Sequence, residues 1–153
     1  MTTILDQITN SQLRNSNKIA FSVLNLDLSV KKSISFKSLE NDVTKLILPT
    51  TSFPVLLLYE DVLEFIISFL ACQKAGLTSI PMFFPKSKRH FERLKGIITD
   101  SQCEIILCEE ANLDKIKKGL SFENDIKIFQ TTEIDKLNNV IREKIVKYKR
   151  TIF

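Results

Sequence analysis

Hydrophobic and polar positions along this chain change period several times, and each change marks an element. Pro54 to Tyr59 is an unbroken apolar run whose length suits a strand buried on both faces. Glu60 and Asp61 follow, with Asp61 and Glu64 spaced as a helix N-cap and its N3 partner. From Val62 the period becomes helical. Val62, Phe65, Ile66, Phe69 and Cys72 recur on one side, which predicts that this side faces inward. Gly76 stands where a helix stops, and Leu77 to Pro81 reads as a second strand. The stretch therefore predicts a βαβ unit with parallel, buried strands.

The flanks extend the pattern. Thr3 is placed to cap a first helix carrying Ile4, Leu5 and Ile8 and running out in the polar stretch Asn10 to Asn17. Lys18–Leu24 and Val30–Ser35 read as a hairpin turning near Asn25 to Asp27. Ser35 caps a helix whose Phe36, Leu39, Val43, Leu46 and Ile47 share a face and which Pro49 ends. Beyond the central unit, Met82–Ser87 is predicted as a proline-bounded loop and Lys88–Ser101 as a helix with Phe91, Leu94, Ile97 and Ile98 inward. Cys103–Cys108 is expected as a third parallel strand and Asn112–Lys118 as a short helix closed by Gly119. Asp125–Gln130 follows as a fourth strand, and Thr132 caps a last helix carrying Ile134, Leu137, Ile141, Ile145 and Tyr148. This alternation predicts an α/β fold: a doubly wound, mostly parallel sheet flanked by helices, with an N-terminal antiparallel hairpin, in one domain over residues 1–153. A chain of this length buries about 70% of its unfolded surface, enough for a core.

Charge changes the picture little. The formal net charge of +4 lies in Arg142 to Arg150, and the rest of the chain balances to zero, so nucleic-acid binding is not indicated. Cys72, Cys103 and Cys108 form no paired metal motif and sit in expected core elements, which implies free thiols and a reducing, cytoplasmic compartment. Met1 onward lacks an apolar secretory core. Glu60, Asp61 and Glu64 break the one window that resembles a membrane span.

Catalytic chemistry is scarce. Gly76, Gly96 and Gly119 are too far apart to cradle phosphates, so no Walker or dinucleotide loop is present. His90 lies among Lys88, Arg89 and Arg93 and reads as a solvent-exposed helix residue. Cys103 and Cys108 read as core thiols, and nothing marks Asp100 and Glu104 as an acid/base pair. No catalytic, cofactor-binding or metal-binding residue is expected. Phe83, Phe84 and Pro85, at the carboxyl end of a parallel strand, are the candidates to face substrate or another domain. Two accounts of them stay open: packing beneath a loop or against a neighbouring domain, or walls of an apolar ligand groove.

Three stretches resemble adenylate-forming, AMP-binding ligases. ISFKSL, Ile34 to Leu39, is similar to their first core motif, with Ser38 where that motif has Glu. QKAGLTSIP resembles the second core motif at Lys74, Ala75, Gly76 and Pro81. Pro85, Arg89, Glu92, Arg93, Leu94, Ile97 and Asp100 are similar to the pattern of the fatty acyl-AMP ligase branch. The resemblance implies the N-terminal subdomain of an enzyme that activates a fatty acid with ATP and Mg²⁺ to acyl-adenylate and delivers it to an acyl carrier protein. The phosphate loop, the adenine and ribose contacts and the mobile catalytic Lys of that family have no counterpart in these residues. Thr151-Ile152-Phe153 resembles the strand that leads into the phosphate loop. The chain by itself is therefore expected to be inactive and to bind neither ATP nor Mg²⁺. It is expected to pair with the remainder of the ligase, or to self-associate through uncovered apolar surface. The alternative is a non-catalytic interaction module derived from the same fold.

Overall fold

A computed structural model describes residues 4–46, 48, 51–120 and 126–130. Its elements run α1 (Ile4–Asn15), β1 (Ile19–Leu24), β2 (Val30–Ser35), α2 (Phe36–Lys45), β3 (Val55–Tyr59), α3 (Val62–Lys74) and β4 (Ser79–Phe83). They continue with α4 (Lys88–Ser101), β5 (Ile105–Cys108), a 3-10 turn (Glu110–Asn112), α5 (Leu113–Gly119) and β6 (Lys127–Gln130). The α/β expectation holds: β1 and β2 form an antiparallel hairpin, and a four-stranded sheet in the order β4-β3-β5-β6 is parallel throughout. Pro49, Asp125 and the expected helix from Thr132 lie outside the described residues.

Strand order fixes the layers. β3 to β4 moves one way along the sheet and β4 to β5 moves back, so right-handed crossovers must put α3 and α4 on opposite faces. They do. Val55, Leu57 and Tyr59 pack with α2 and α3 residues such as Leu39, Val43 and Cys72 on one face. Leu56 and Leu58 pack with Leu94 and Ile98 of α4 and Ile116 of α5 on the other. A strand used on both faces cannot alternate apolar and polar residues, which accounts for the run VLLLY.

Local rules set the ends of the elements. Ser35 Oγ accepts from the Ser38 N–H at 3.2 Å to start α2, and the Asp61 carboxylate accepts from the Leu63 and Glu64 N–H groups at 2.9 and 3.3 Å to start α3. Gly76 takes φ +69° after α3, a conformation that suits glycine. The hairpin turn is held by Asp27, which accepts from the Ser29 N–H and hydroxyl, and it places Leu28 at φ 66°. Lys32 of β2 bonds Asp61, which ties the hairpin to the start of α3.

Two expectations need correcting. The expected inward side of α3 holds in part: Cys72 is fully buried and Phe65, Ile66 and Phe69 pack half-buried against the same core, but Val62 is 52% exposed, and Ser68, Leu70 and Ala71 are the other buried residues of the helix. The helix is apolar nearly all round, so periodicity alone does not select a side. Phe83 is the last residue of β4 rather than part of a loop. Gly119 closes α5 as expected, without a positive φ; a Cβ there would collide with the Phe91 ring, so close packing calls for glycine.

Candidate functional site

The direction of winding reverses between β3 and β5, and open α/β sheets take ligands outside the strand ends at such a point. Here the chain supplies its own anion. Glu109, directly after β5 and only 7% exposed, accepts from the Glu60 N–H at 2.9 and 3.1 Å and from the Asp61 N–H at 3.3 Å. Asn112, 2% exposed at the end of the 3-10 turn, donates to Glu109 and, at 3.3 Å, to Glu60 Oε2. Lys115 Nζ donates to Asn112 Oδ1 at 3.2 Å, and Lys86 Nζ reaches Glu60 Oε1 at 3.3 Å. The amide of Asn112 and the ammonium of Lys86 hold the Glu60 carboxyl below its ordinary value.

This corner turns most of its backbone donors toward the chain's own carboxylates. The N–H groups of Glu60 and Asp61 are taken by Glu109, and those of Leu63 and Glu64 by Asp61, so four of the donors a phosphate would use at the start of α3 are already bonded. Glu60, Asp61 and Glu109 add negative charge beside them. Among the described residues no three His, Cys, Asp or Glu side chains converge to hold a metal ion.

Beside the crevice, the start of α3, the end of β4 and the start of α4 enclose a groove of about 960 Å³. Phe65, Met82, Phe84 and Leu94 give it an apolar lining. Lys86, His90 and Arg93 line it together with Glu60 and Asp61, and Lys86 is paired with Glu60. Phe83, Phe84 and Pro85 all line it, yet their settings differ. Phe84 and Pro85 are buried, with Lys115 Nζ 5.7 Å from the Phe84 ring centroid, while Phe83 is 97% exposed at the lip. Pleat parity explains the contrast. Ile80 and Met82 pack into the α4/α5 side, so Pro81 and Phe83 point to the opposite face, where the first turn of α3 leaves them uncovered.

His90 is exposed, as its surroundings in sequence implied, and its Nδ1 accepts from the Lys86 N–H at 3.3 Å while the ring lines the groove. Cys72, Cys103 and Cys108 are buried and form no disulfide; burial pushes Cys72 and Cys108 up to about 12 and raises Cys103 as well. Sequence reasoning missed Glu109 and Asn112. The available signal was a buried-type strand running straight into an acidic residue, with an amide three positions on. Among the described residues no helix is long and apolar enough to cross a membrane.

No family model matches this sequence. A medium-chain-fatty-acid–[acyl-carrier-protein] ligase, JamA of Moorena producens, is 26% identical over 151 residues, covering 93% of this chain and 26% of its own length. A putative fatty-acid–CoA ligase of Mycobacterium leprae is 27% identical over 82 residues, 54% of this chain and 14% of its own. The chain thus spans about a quarter or less of the curated relatives it matches. The crystal structure of a fatty acid AMP ligase from Legionella pneumophila superposes with a TM-score of 0.72 at 19% identity, over 87% of this chain and 24% of that one. A McyG adenylation and carrier-protein structure bound to phenylalanyl-adenylate gives 0.74 at 15% identity, over 86% and 22%. In fold this chain resembles about a quarter of a fatty acid AMP ligase, and in sequence it is similar to fatty-acid ligases over about a quarter or less of their length.

Proposed function

We propose that this chain is the N-terminal subdomain of a fatty acyl-AMP ligase and contributes walls, not reacting groups, to the complete enzyme. The observation that carries the reading is the similarity to the JamA ligase along 93% of this chain, which takes up only 26% of that ligase. In the complete enzyme the reaction joins a fatty-acid carboxylate to the α-phosphate of ATP with release of pyrophosphate, and the acyl group then passes to a carrier-protein thiol. ATP and Mg²⁺ belong to that whole, and the crevice filled by Glu109 supports the reading that this part does not grip them. Phe83, Phe84 and Pro85 border the groove that faces substrate or the next domain. Three buried cysteines that form no disulfide support a reducing, cytoplasmic setting.

The test is ATP–pyrophosphate exchange with decanoate, run on the 153-residue chain and on a chimaera in which it replaces the matching region of the JamA ligase. The chain alone gives no exchange and the chimaera gives fatty-acid-dependent exchange. Robust exchange by the chain refutes its incompleteness, and a folded but silent chimaera refutes the family role. The uncovered Phe83 and its groove favour a second reading, a non-catalytic interaction module. Light scattering separates the two: uncovered apolar surface in a partial enzyme self-associates, whereas an evolved module stays monomeric until a partner is added.

A further inference from the structure

We infer that the turn between β1 and β2 is a knob that docks into the groove of a second copy of this chain. Leu24, Leu26, Leu28 and Val30 are 50, 106, 76 and 62% exposed, and Leu24 faces Val30 across the hairpin, so the turn carries one patch of aliphatic side chains. The patch is held rigid. The Asn25 N–H donates to the Ser29 carbonyl at 2.8 Å, the Leu28 N–H to the Asn25 carbonyl at 3.0 Å and the Asn25 amide to Ser29 Oγ at 2.9 Å, while Asp27 accepts from the Ser29 N–H and hydroxyl. Leu28 sits at φ 66°, a left-handed position that glycine or asparagine takes at lower cost than leucine. A leucine so placed and so exposed gains little from this fold, and strain kept on a pre-formed surface points to a contact made outside it.

Three observations choose the occupant. Asp27 lies between Leu26 and Leu28, and the hydroxyl and N–H of Ser29 hold its carboxyl below the ordinary value, so the knob carries a negative charge at its apex. A bilayer has to take that carboxylate in with the leucines, at a cost that sets lipid aside. The groove between α3, β4 and α4 is the complement. Phe65, Met82, Phe84 and Leu94 line it, and Arg93 beside them is exposed with no ion-pair partner among the described residues. The groove's own acids do not oppose Asp27, because Lys86 pairs with Glu60 and Lys32 with Asp61. At about 960 Å³ the groove has room for two leucine side chains. Finally, Lys32 joins the hairpin to Asp61 at the groove's edge, so knob and groove are neighbours on one surface. Two copies related by a two-fold axis exchange knobs reciprocally, and a reciprocal contact closes at two chains.

Sedimentation equilibrium of the 153-residue chain tests the inference. The mass rises with concentration from one chain to two and stops there. The double variant Leu26→Ser/Leu28→Ser weakens the dimer at least about tenfold, with circular dichroism and Tm unchanged because both side chains are exposed. Asp27→Asn, which keeps an acceptor for Ser29, and Arg93→Gln each weaken it about threefold, and the two together no further, because the groups act through one another. A chain that stays monomeric, a mass that climbs past two, a dimer indifferent to the leucines, or additive losses at Asp27 and Arg93 overturns the inference. So does uptake by phosphatidylglycerol vesicles that the leucine variant abolishes, which gives the knob to lipid. The ligase reading is tested by exchange in the chimaera and this dimer by mass in the chain, so either fails without the other.

Discussion

Replacing Glu109 by alanine removes the acceptor on which the turn after β3 depends. The carboxylate receives the Glu60 and Asp61 N–H groups at 2.9 to 3.3 Å and the Asn112 amide besides, in a position where Glu109 is 7% exposed. Each buried donor left without an acceptor costs about 1–3 kcal/mol, and water entering the vacated space recovers part of that. A net loss of about 3 kcal/mol is expected, which for a chain of 153 residues lowers Tm by about 10 °C. One effect works the other way: removing Glu109 relieves repulsion from Glu60 and Asp61. Lys86 and Lys32 already compensate those two acids, so the lost hydrogen bonds dominate. Glu109→Gln separates the contributions, because it removes the charge and keeps one acceptor oxygen. If hydrogen bonding rules, the order of stability in urea is wild type, then Glu109→Gln, then Glu109→Ala, at constant m-value. A glutamine variant more stable than wild type, or an alanine variant within about 1 kcal/mol of it, refutes the reasoning.

Two glycines in helices respond to alanine with opposite sign. Gly96 has open space where a Cβ would go, so Gly96→Ala adds about 1 kcal/mol of helix propensity and raises Tm by about 3 °C. Gly119→Ala drives a Cβ to 2.1 Å from the Phe91 ring, and overpacking of about 1–3 kcal/mol outweighs the same propensity gain; shifts of equal sign in thermal melts contradict this. Acid sensitivity follows from Asp61. Burial alone would raise its carboxyl, but the Lys32 bond and the Leu63 and Glu64 N–H groups outweigh that and hold it below 3.8. A depressed carboxyl stabilises the fold above its unfolded value and loses that contribution as pH falls through the folded one. Melts between pH 6 and pH 2 therefore show wild type losing more stability than Asp61→Asn below about pH 3.8, and parallel curves remove Asp61 from the account.

Much of the fold was legible because it rests on near neighbours in sequence. Asp61 and Ser35 cap helices through bonds two or three residues long, Gly76 takes its positive φ beside the helix it ends, and VLLLY announces a strand covered on both sides. The candidate residues Phe83, Phe84 and Pro85 were legible only as a trio. That Phe84 is sealed under Lys115 while Phe83 stands in solvent depends on what each face of β4 happens to meet. The inward side of α3 was legible only in part for a related reason, since a helix apolar nearly all round does not say which residues bury most deeply until α2 and the sheet cover them.

The alternation of strand and helix, the caps and the neutral balance of the body were determined by sequence alone, for they need only a residue and those a turn away. Tertiary structure decided what fills the crevice between β3 and β5, because Glu109 meets the Glu60 N–H across 49 positions of chain, and decided that Gly119 must be small, because Phe91 lies against it. Such pairings leave no period to read; they exist only once the crossovers have brought distant segments to the same end of the sheet.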